Sequence, residues 1–411
     1  MGKGRGISYW CKSWELFKLS LPEDNTIRFK LNKELKRLRE EMDIKKECYE
    51  RAIGVLEKCS TKHGFYASGE VDGYTAVWSR DSMISSLGAS LIGEKFRETF
   101  KQSLITLSEN QSKNGQIPNC VDKWAERKPH VDFKTIDSSL WYVIGQHIYK
   151  ERYEDSSLFE KYRENIQKAM SWLACQDSGE NGMLAQLPTS DWQDAFPHRY
   201  GYTINTQALY YYVLLLEGRK AEAEKLKKLV NEDKEDGLWN EEFYLAYRWK
   251  NHGKYKEIGD WFDSLGNLLA IVFDLADSAK AKKILDYIKK KKINEPFPMK
   301  AIYPAIEKKS AEWHDYFEDC DAREPYAYLN GGVWTFIGSF YVPALIKMKM
   351  FDEAERELEK VAEANSKLDW NFSEWIHGKS KIASDGGIQA WNAGAYILAY
   401  ESLMKKEVLL L

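Results

Sequence analysis

The sequence has little that would direct it to a nucleic acid, a membrane or an oxidising compartment. Its 60 basic and 63 acidic residues leave a formal charge of −3 and are dispersed rather than blocked. There is therefore no electrostatic case for a nucleic-acid or anionic-surface partner. The basic run Lys289 to Lys292 is short and reads as a solvated helix end. Six cysteines (Cys11, Cys48, Cys59, Cys120, Cys175, Cys320) lack CxxC or metal-type spacing, which predicts free thiols in a reducing, cytoplasmic compartment. His198, His314 and His377 lack metal-site spacing as well, so neither a metal nor a cofactor is expected. A charged-then-apolar leader is missing, because Lys12, Glu15 and Lys18 interrupt the first apolar positions. No stretch approaches the roughly 18 apolar residues of a membrane span. Strand signals are few.

Aromatic residues are abundant instead: 15 Trp, 24 Tyr and 17 Phe. Core filling accounts for many of them, but flat aromatic faces are also what the C–H faces of sugars stack upon. Hydrophobic residues make up 44% and charged residues 30% of the 411 positions, enough apolar material for one large core. Helical and α/β barrels reach this length as one domain.

Hydrophobic periodicity and breakers predict twelve helices, at 33–58, 81–92, 95–112, 135–150, 157–177, 204–216, 219–231, 262–276, 278–291, 331–348, 352–366 and 388–405. They alternate in character. Lys220 to Val230 and Phe351 to Ala364 are amphipathic with charged faces, whereas Ala208 to Leu216, Val333 to Ile346 and Ala393 to Tyr400 are apolar or small almost all round. A helix without a polar face must be covered on every side. Connections alternate too: brief ones at Gly93-Glu94, Gly218 and Asp277, long ones at 113–134, 178–203, 232–261, 292–330 and 367–387. Six inner helices ringed by six outer ones, an all-α (α/α)6 barrel spanning 31–411, satisfy both alternations and put every long loop at one end. Residues 1–30 fit neither pattern and read as an N-terminal extension. A helical-repeat solenoid competes, but it would keep a fixed period, and the spacing here varies widely.

Long loops in compact domains are usually functional. Each of these sets aromatics beside a carboxylate or amide: Trp78-Ser79-Arg80-Asp81, Asp132 to Trp141, Asp191 to Asn205, Asp260 to Asn267, Tyr326 to Trp334 and Glu374 to Trp391. Such a lining suits a polyhydroxylated ligand, because hydroxyl fans need paired donors and acceptors. Plain alternatives exist for some members. Asp81 and Asp137 could be N-caps, and Asn330-Gly331-Gly332 could be a tight turn. Glycoside hydrolysis normally takes two carboxyls across the scissile bond, one protonated and one ionised. Asp194, among Trp192, Phe196, Tyr200 and Tyr202, has surroundings that raise a carboxyl's pKa and suit a general acid. Glu374, between Trp370 and Trp375, suits a base. Asp191, Asp137 and Asp81 compete for these roles.

These segments resemble, in order from about Val71 to Leu403, the neutral/alkaline invertases and, more distantly, the amylo-α-1,6-glucosidase domain of glycogen debranching enzymes. Trp78-Ser79-Arg80-Asp81-Ser82 is similar to an arginine–aspartate motif of both, and Thr135 to Trp141 to an invertase segment. Asp194 with Tyr200 to Ile204 and Gln207-Ala208-Leu209 resembles the invertase acid loop; Ser264 to Asn267, Met299 to Ile306 and Asn330 to Trp334 resemble further segments. Ser373-Glu374-Trp375 and Gln389-Ala390-Trp391 look like the base motif and a terminal glutamine–tryptophan element. The resemblance implies an (α/α)6 barrel and an inverting hydrolase in which Asp194 protonates the glycosidic oxygen and Glu374 activates water. Trp78, Arg80, Asp81, Asp137, Trp141, Trp192, Tyr202, Asn205, Gln207, Asn330, Trp334, Gln389 and Trp391 are the expected substrate contacts. The partner is then a small sugar or oligosaccharide: sucrose or a related α-glucoside, with an α-1,6 branch or an inactive sugar-binding barrel as alternatives. Asn205 stands where the family usually has glutamate, and Ala195 and Phe196 where invertases carry arginines, which loosens the expectation of sucrose.

Overall fold

The computed structural model describes residues 43–69, 74–122, 130–232, 235, 237–252, 254–383 and 387–410. The expected extension at 1–30 and the first part of the helix at 33–58 lie outside these residues. All packing below belongs to the compact unit Cys48–Leu411.

Thirteen α-helices are described: α1 (Ile44–Cys59), α2 (Ser79–Ala89), α3 (Arg97–Glu109), α4 (Asp137–Arg152), α5 (Ser157–Lys161), α6 (Arg163–Ala174), α7 (Ile204–Leu216), α8 (Lys220–Glu232), α9 (Ser264–Val272), α10 (Ser278–Lys291), α11 (Thr335–Lys347), α12 (Phe351–Ser366) and α13 (Ala390–Lys405). The apolar set closes on itself, since α2 packs on α4, α4 on α7, α7 on α9, α9 on α11, α11 on α13 and α13 on α2. Every residue of α2 and of α9 is buried. Amphipathic helices lie outside this ring. In α8 the stripe Ala223, Leu226 and Val230 is buried while most of its lysines and glutamates face water. α3, α6, α8 and α12 pack on inner neighbours, and α1 meets α13 through Tyr49 and Tyr400 at 4.6 Å.

α2 shows how a polar sequence can be buried. Ser85 and Ser86 donate to the carbonyls of Asp81 and Ser82 one turn back, so their hydroxyls need no water. Glycine provides the close approach to α13: a Cβ on Gly88 would sit 2.0 Å from the carbonyl oxygen of Gly394.

A purely helical barrel is the expectation that needs correcting. Among the described residues are a two-stranded sheet of β1 (Ser60–Thr61) and β2 (Gly64–Phe65), and a three-stranded sheet of β3 (Val77–Trp78), β4 (Cys120–Val121) and β5 (Val131–Asp132). A four-stranded antiparallel sheet runs β6 (Tyr202–Thr203), β7 (Leu245–His252), β8 (Tyr255–Asp263), β9 (Ile302–Tyr303). β7 and β8 form a hairpin in the expected loop 232–261, and β8 runs two residues into the helix expected at 262–276. Its charged alternation, LAYRWKNH and YKEIGDWFD, is that of a ribbon with one wet face, and two register shifts blur the period.

These strands aim the site. β3 runs directly into α2, β6 into α7 and β8 into α9. Ladder hydrogen bonds thus fix the entry of three inner helices, and first-turn side chains inherit that precision. Thr203 and Asp263 cap α7 and α9 by accepting from the backbone N–H groups of Thr206 and Gly266. Asp81 and Asp137 cap neither α2 nor α4: each lies inside the first turn, past Trp78 and Ile136.

Candidate active site

The N-terminal ends of α2, α11 and α13, together with the loops ahead of α2, α7, α11 and α13, line one cleft. Its wall consists of Tyr74, Trp78, Arg80, Asp81, Trp192, Asp194, Tyr328, Trp334, Glu374, Gln389 and Trp391, around about 410 Å3 of space continuous with solvent.

The aromatic half is a braced box. Trp334 meets Trp192 and Trp391 edge-on at 5.8 Å each, and Phe336 backs Trp391 in a 4.2 Å stack. Tyr328 leans on Trp334 at 5.3 Å, and Tyr74 on Trp78 at 5.7 Å. The indole N–H groups of Trp192 and Trp391 are buried without a protein acceptor, so they are available to a ligand hydroxyl.

The polar half carries three carboxyls and one cation. Arg80 donates to both oxygens of Asp137, at 2.9 and 3.2 Å, and lies 4.0 Å from Asp81. Its guanidinium is committed beneath the cleft and also sits 5.9 Å from the Trp391 ring centre. Burial pushes Asp81 up to about 6, against the pull of Arg80. Asp194 also rises to about 6, mainly by desolvation, with Arg80 opposing and Asp137, Asp191 and Asp81 adding to the rise. Asp194 is walled by protein on most sides but exposed to cleft water, so this rise develops fully only when a ligand displaces that water. Glu374, half-buried, reaches about 8 through desolvation and then through Asp81, Asp194 and Asp321. Among the described residues no group of three or more His, Cys, Asp or Glu is arranged to hold a metal ion.

Nine of the expected site residues line the cleft: Asp194, Glu374, Trp78, Arg80, Asp81, Trp192, Trp334, Gln389 and Trp391. Six lie elsewhere. Asp137 is fully buried behind Arg80, as its partner. Trp141 is buried within α4. Tyr202 accepts from the side-chain amide of Asn181 at 3.1 Å and packs on Trp249. Gln207 is spent on the backbone of Leu184, accepting from its N–H and donating to its carbonyl. Asn330 likewise accepts from the N–H of Ile306 and donates to the carbonyls of Ile306 and Ala322, bracing the turn at Gly331, whose φ is +85°. Asn205 lies 3.5 Å from Asp191, to which its amide donates. A glutamate there would oppose that buried aspartate as a like charge.

Tyr74 and Tyr328 line the cleft without having been expected. Tyr328 was discoverable, since it belongs to the aromatic segment Tyr326 to Trp334. Arg199 lies inside the expected segment Asp191 to Asn205, but nothing there marks its pairing: it is fully buried between Asp191 and Asp263.

Two segments of the chain match described families. Residues 256–406, with Glu374, Gln389 and Trp391, match the family "Alkaline and neutral invertase", and residues 56–183, with Trp78, Arg80 and Asp81, match "Amylo-alpha-1,6-glucosidase". Asp194 falls in neither segment. The neutral/alkaline invertase 1, mitochondrial, of Oryza sativa subsp. japonica is 36% identical over 139 residues, 33% of this chain and 22% of the relative. The alkaline/neutral invertase E, chloroplastic, of Arabidopsis thaliana is 32% identical over 143 residues, 34% of this chain and 22% of the relative. The match thus spans under a quarter of each relative's length. In fold, the chain is similar to a mannosylglycerate hydrolase of Thermus thermophilus in complex with Tris and D-glycerate, with TM-score 0.61 and 13% identity over 85% of this chain and 99% of that one. It is also similar to a bacterial glucoamylase complexed with acarbose, with TM-score 0.59 and 15% identity over 89% of this chain and 56% of that one.

Proposed function

We propose that the chain is an inverting glycoside hydrolase of the (α/α)6-barrel type, acting on sucrose or a related small α-glucoside. The observation that carries this reading is one cleft holding Asp194 and Glu374 together with an indole-walled box and the Arg80–Asp81 pair. Aromatic faces receive the sugar's C–H faces, and Asp81, Gln389 and the indole N–H groups receive its hydroxyls. Asp194 acts as general acid, protonating the glycosidic oxygen. Glu374 acts as general base, drawing a proton from water that attacks the opposite face of the anomeric carbon.

The invertase match over residues 256–406, which include Glu374, supports this role. A debranching activity on an α-1,6 linkage is the companion reading, supported by the match over residues 56–183. A sugar-binding barrel without catalysis is less favoured, because the three carboxyls lining one cleft, Asp81, Asp194 and Glu374, all have raised pKa values, as groups that transfer protons do. A reducing, cytoplasmic setting accompanies the reading, in keeping with cysteines lacking paired spacing. Among the described residues no helix is long and apolar enough to cross a membrane.

One observation favours exchanged roles. Glu374, with the higher pKa, keeps its proton at pH values where Asp194 has lost its own. α-Glucosyl fluoride separates the two assignments, since fluoride departs with little help from an acid. With Asp194 as the acid, Asp194→Asn loses glycoside turnover by 100-fold or more, on the order of a general acid's contribution, yet still hydrolyses the fluoride, while Glu374→Gln loses both. The opposite pattern makes Glu374 the acid.

A further inference from the structure

Asp194 sits on a loop with no regular secondary structure, between Asp191 and Arg199. A catalytic carboxyl in such a place needs something to hold it. Arg199 reaches back across its own loop to Asp191 and, with its other nitrogen, forward to Asp263, the capping residue of α9. All three side chains are completely buried. We infer that Asp191 and Arg199 are positioning residues for Asp194, an internal ion pair that clasps the two ends of its loop while Asp263 ties the clasp to the inner ring. The inference rests on Asp194 being the proton donor.

Stability alone is a poor account of such a cluster. Replacing a whole buried ion group by apolar side chains commonly leaves a fold as stable or more so. This one is also incompletely satisfied, because Nε of Arg199, Oδ1 of Asn205 and both side-chain polar atoms of Gln193 are buried without a protein partner. Unmet polar groups are costly. What the cluster does provide is direction: two fixed oxygens and a planar fork define one geometry for the loop ends. The loop's middle is held separately, where Phe196 packs on Phe317 at 4.3 Å. The ion pair and the ring contact thus bracket Asp194 from two sides.

The cluster also reaches Asp194 electrostatically. Its two aspartates exceed its one arginine by a single negative charge. Asp194 faces Arg80 and Asp81 from α2, Asp137 from α4, Asp191 from its own loop, Tyr328 ahead of α11 and Glu374 ahead of α13. The negative charge of Asp191 favours the protonated form that a donor requires.

Two substitutions test the clasp, and neither makes the cluster more negative than it is in the wild type. Asp191→Asn pairs Arg199 with Asp263 alone, and Arg199→Lys keeps the charge but cannot span both aspartates. Each should lower kcat on glycosides about 100-fold, the scale of a small misplacement of a reacting group, with KM little changed and α-glucosyl fluoride turned over close to the wild-type rate. In Asp191→Asn the limb of the pH–rate profile set by Asp194, near 6, should also move to lower pH, because Asp194 then holds its proton less tightly; in Arg199→Lys it should stay. Equal losses on glycoside and fluoride, or unchanged kcat and pH limb in both variants, would overturn the inference. If Asp191→Asn fails to fold, Arg199→Lys alone decides by the same split between substrates. Asp194→Asn run alongside keeps the two claims apart: glycoside turnover surviving there removes Asp194 as donor and the clasp with it, whereas its loss beside wild-type Asp191→Asn and Arg199→Lys removes the clasp alone.

Discussion

Glu374 shows how far a single residue departs from its ordinary chemistry. It is half-buried against Asp81, Asp194 and Asp321, and its carboxyl is pushed up to about 8. A carboxyl held higher in the fold than in the unfolded chain stabilises the fold while it carries its proton, below an unfolded value of about 4.3. That contribution is lost as pH rises from there through the folded value near 8. The protein should therefore lose thermal stability between pH 5 and about 8, and Glu374→Gln should lose less. The gap at pH 8 is expected to be about 2–4 °C, allowing for the water that still reaches the side chain. Melting curves of both proteins across that range check it; parallel curves would mean that Glu374 is not held protonated. Trp78, Arg80 and Asp81 were legible in the sequence because they stand beside aromatics at the start of an inner helix, and Asp194 and Glu374 because they stand beside aromatics in the long loops that lead into one. Asn330 and Gln207 shared that context, yet their amides satisfy backbone groups of neighbouring loops. A sequence does not separate an amide that binds a ligand from one that binds the chain.

At the scale of elements, the α2–α13 crossing matters most, because α2 brings Arg80 and Asp81 and α13 brings Trp391. Neither Gly88 nor Gly394 has room for a side chain: the added Cβ of Gly394 would lie 2.4 Å from Cα of Ser85. Gly88→Ala should destabilise the protein by about 1–3 kcal/mol, the cost of overpacking a core, in chemical denaturation; unchanged stability would mean that the helices are not in contact there. Helix periodicity located α7 and α10 to within a residue of their ends. It missed the β7–β8 hairpin for a physical reason. The ribbon's alternation is broken by two bulges, and its charged outer face reads as loop. Strand pairing also depends on partners distant in sequence, as where Tyr202 meets Arg248.

For the whole molecule, the alternation of apolar and amphipathic helices carried the architecture from sequence to structure, since a closed ring of six buried helices is what an all-apolar face requires. What it could not supply is the buried charge beneath the mouth: Arg80 with Asp137, and Arg199 with Asp191 and Asp263. Those pairs join segments 57 and 64 residues apart as well as the two ends of one loop. The account as a whole claims hydrolysis with inversion at this cleft. The most direct measurement offers sucrose, trehalose, maltose and isomaltose to the enzyme and follows the released sugar by proton NMR before the anomers equilibrate. The account predicts that, with one of these α-glucosides, the attacked glucosyl unit appears first as β-glucose (for trehalose, beside an equal amount of α-glucose from the leaving half), and that Asp194→Asn yields none. An attacked unit released as α-glucose (for trehalose, α-glucose alone), or undiminished release by Asp194→Asn, would contradict it.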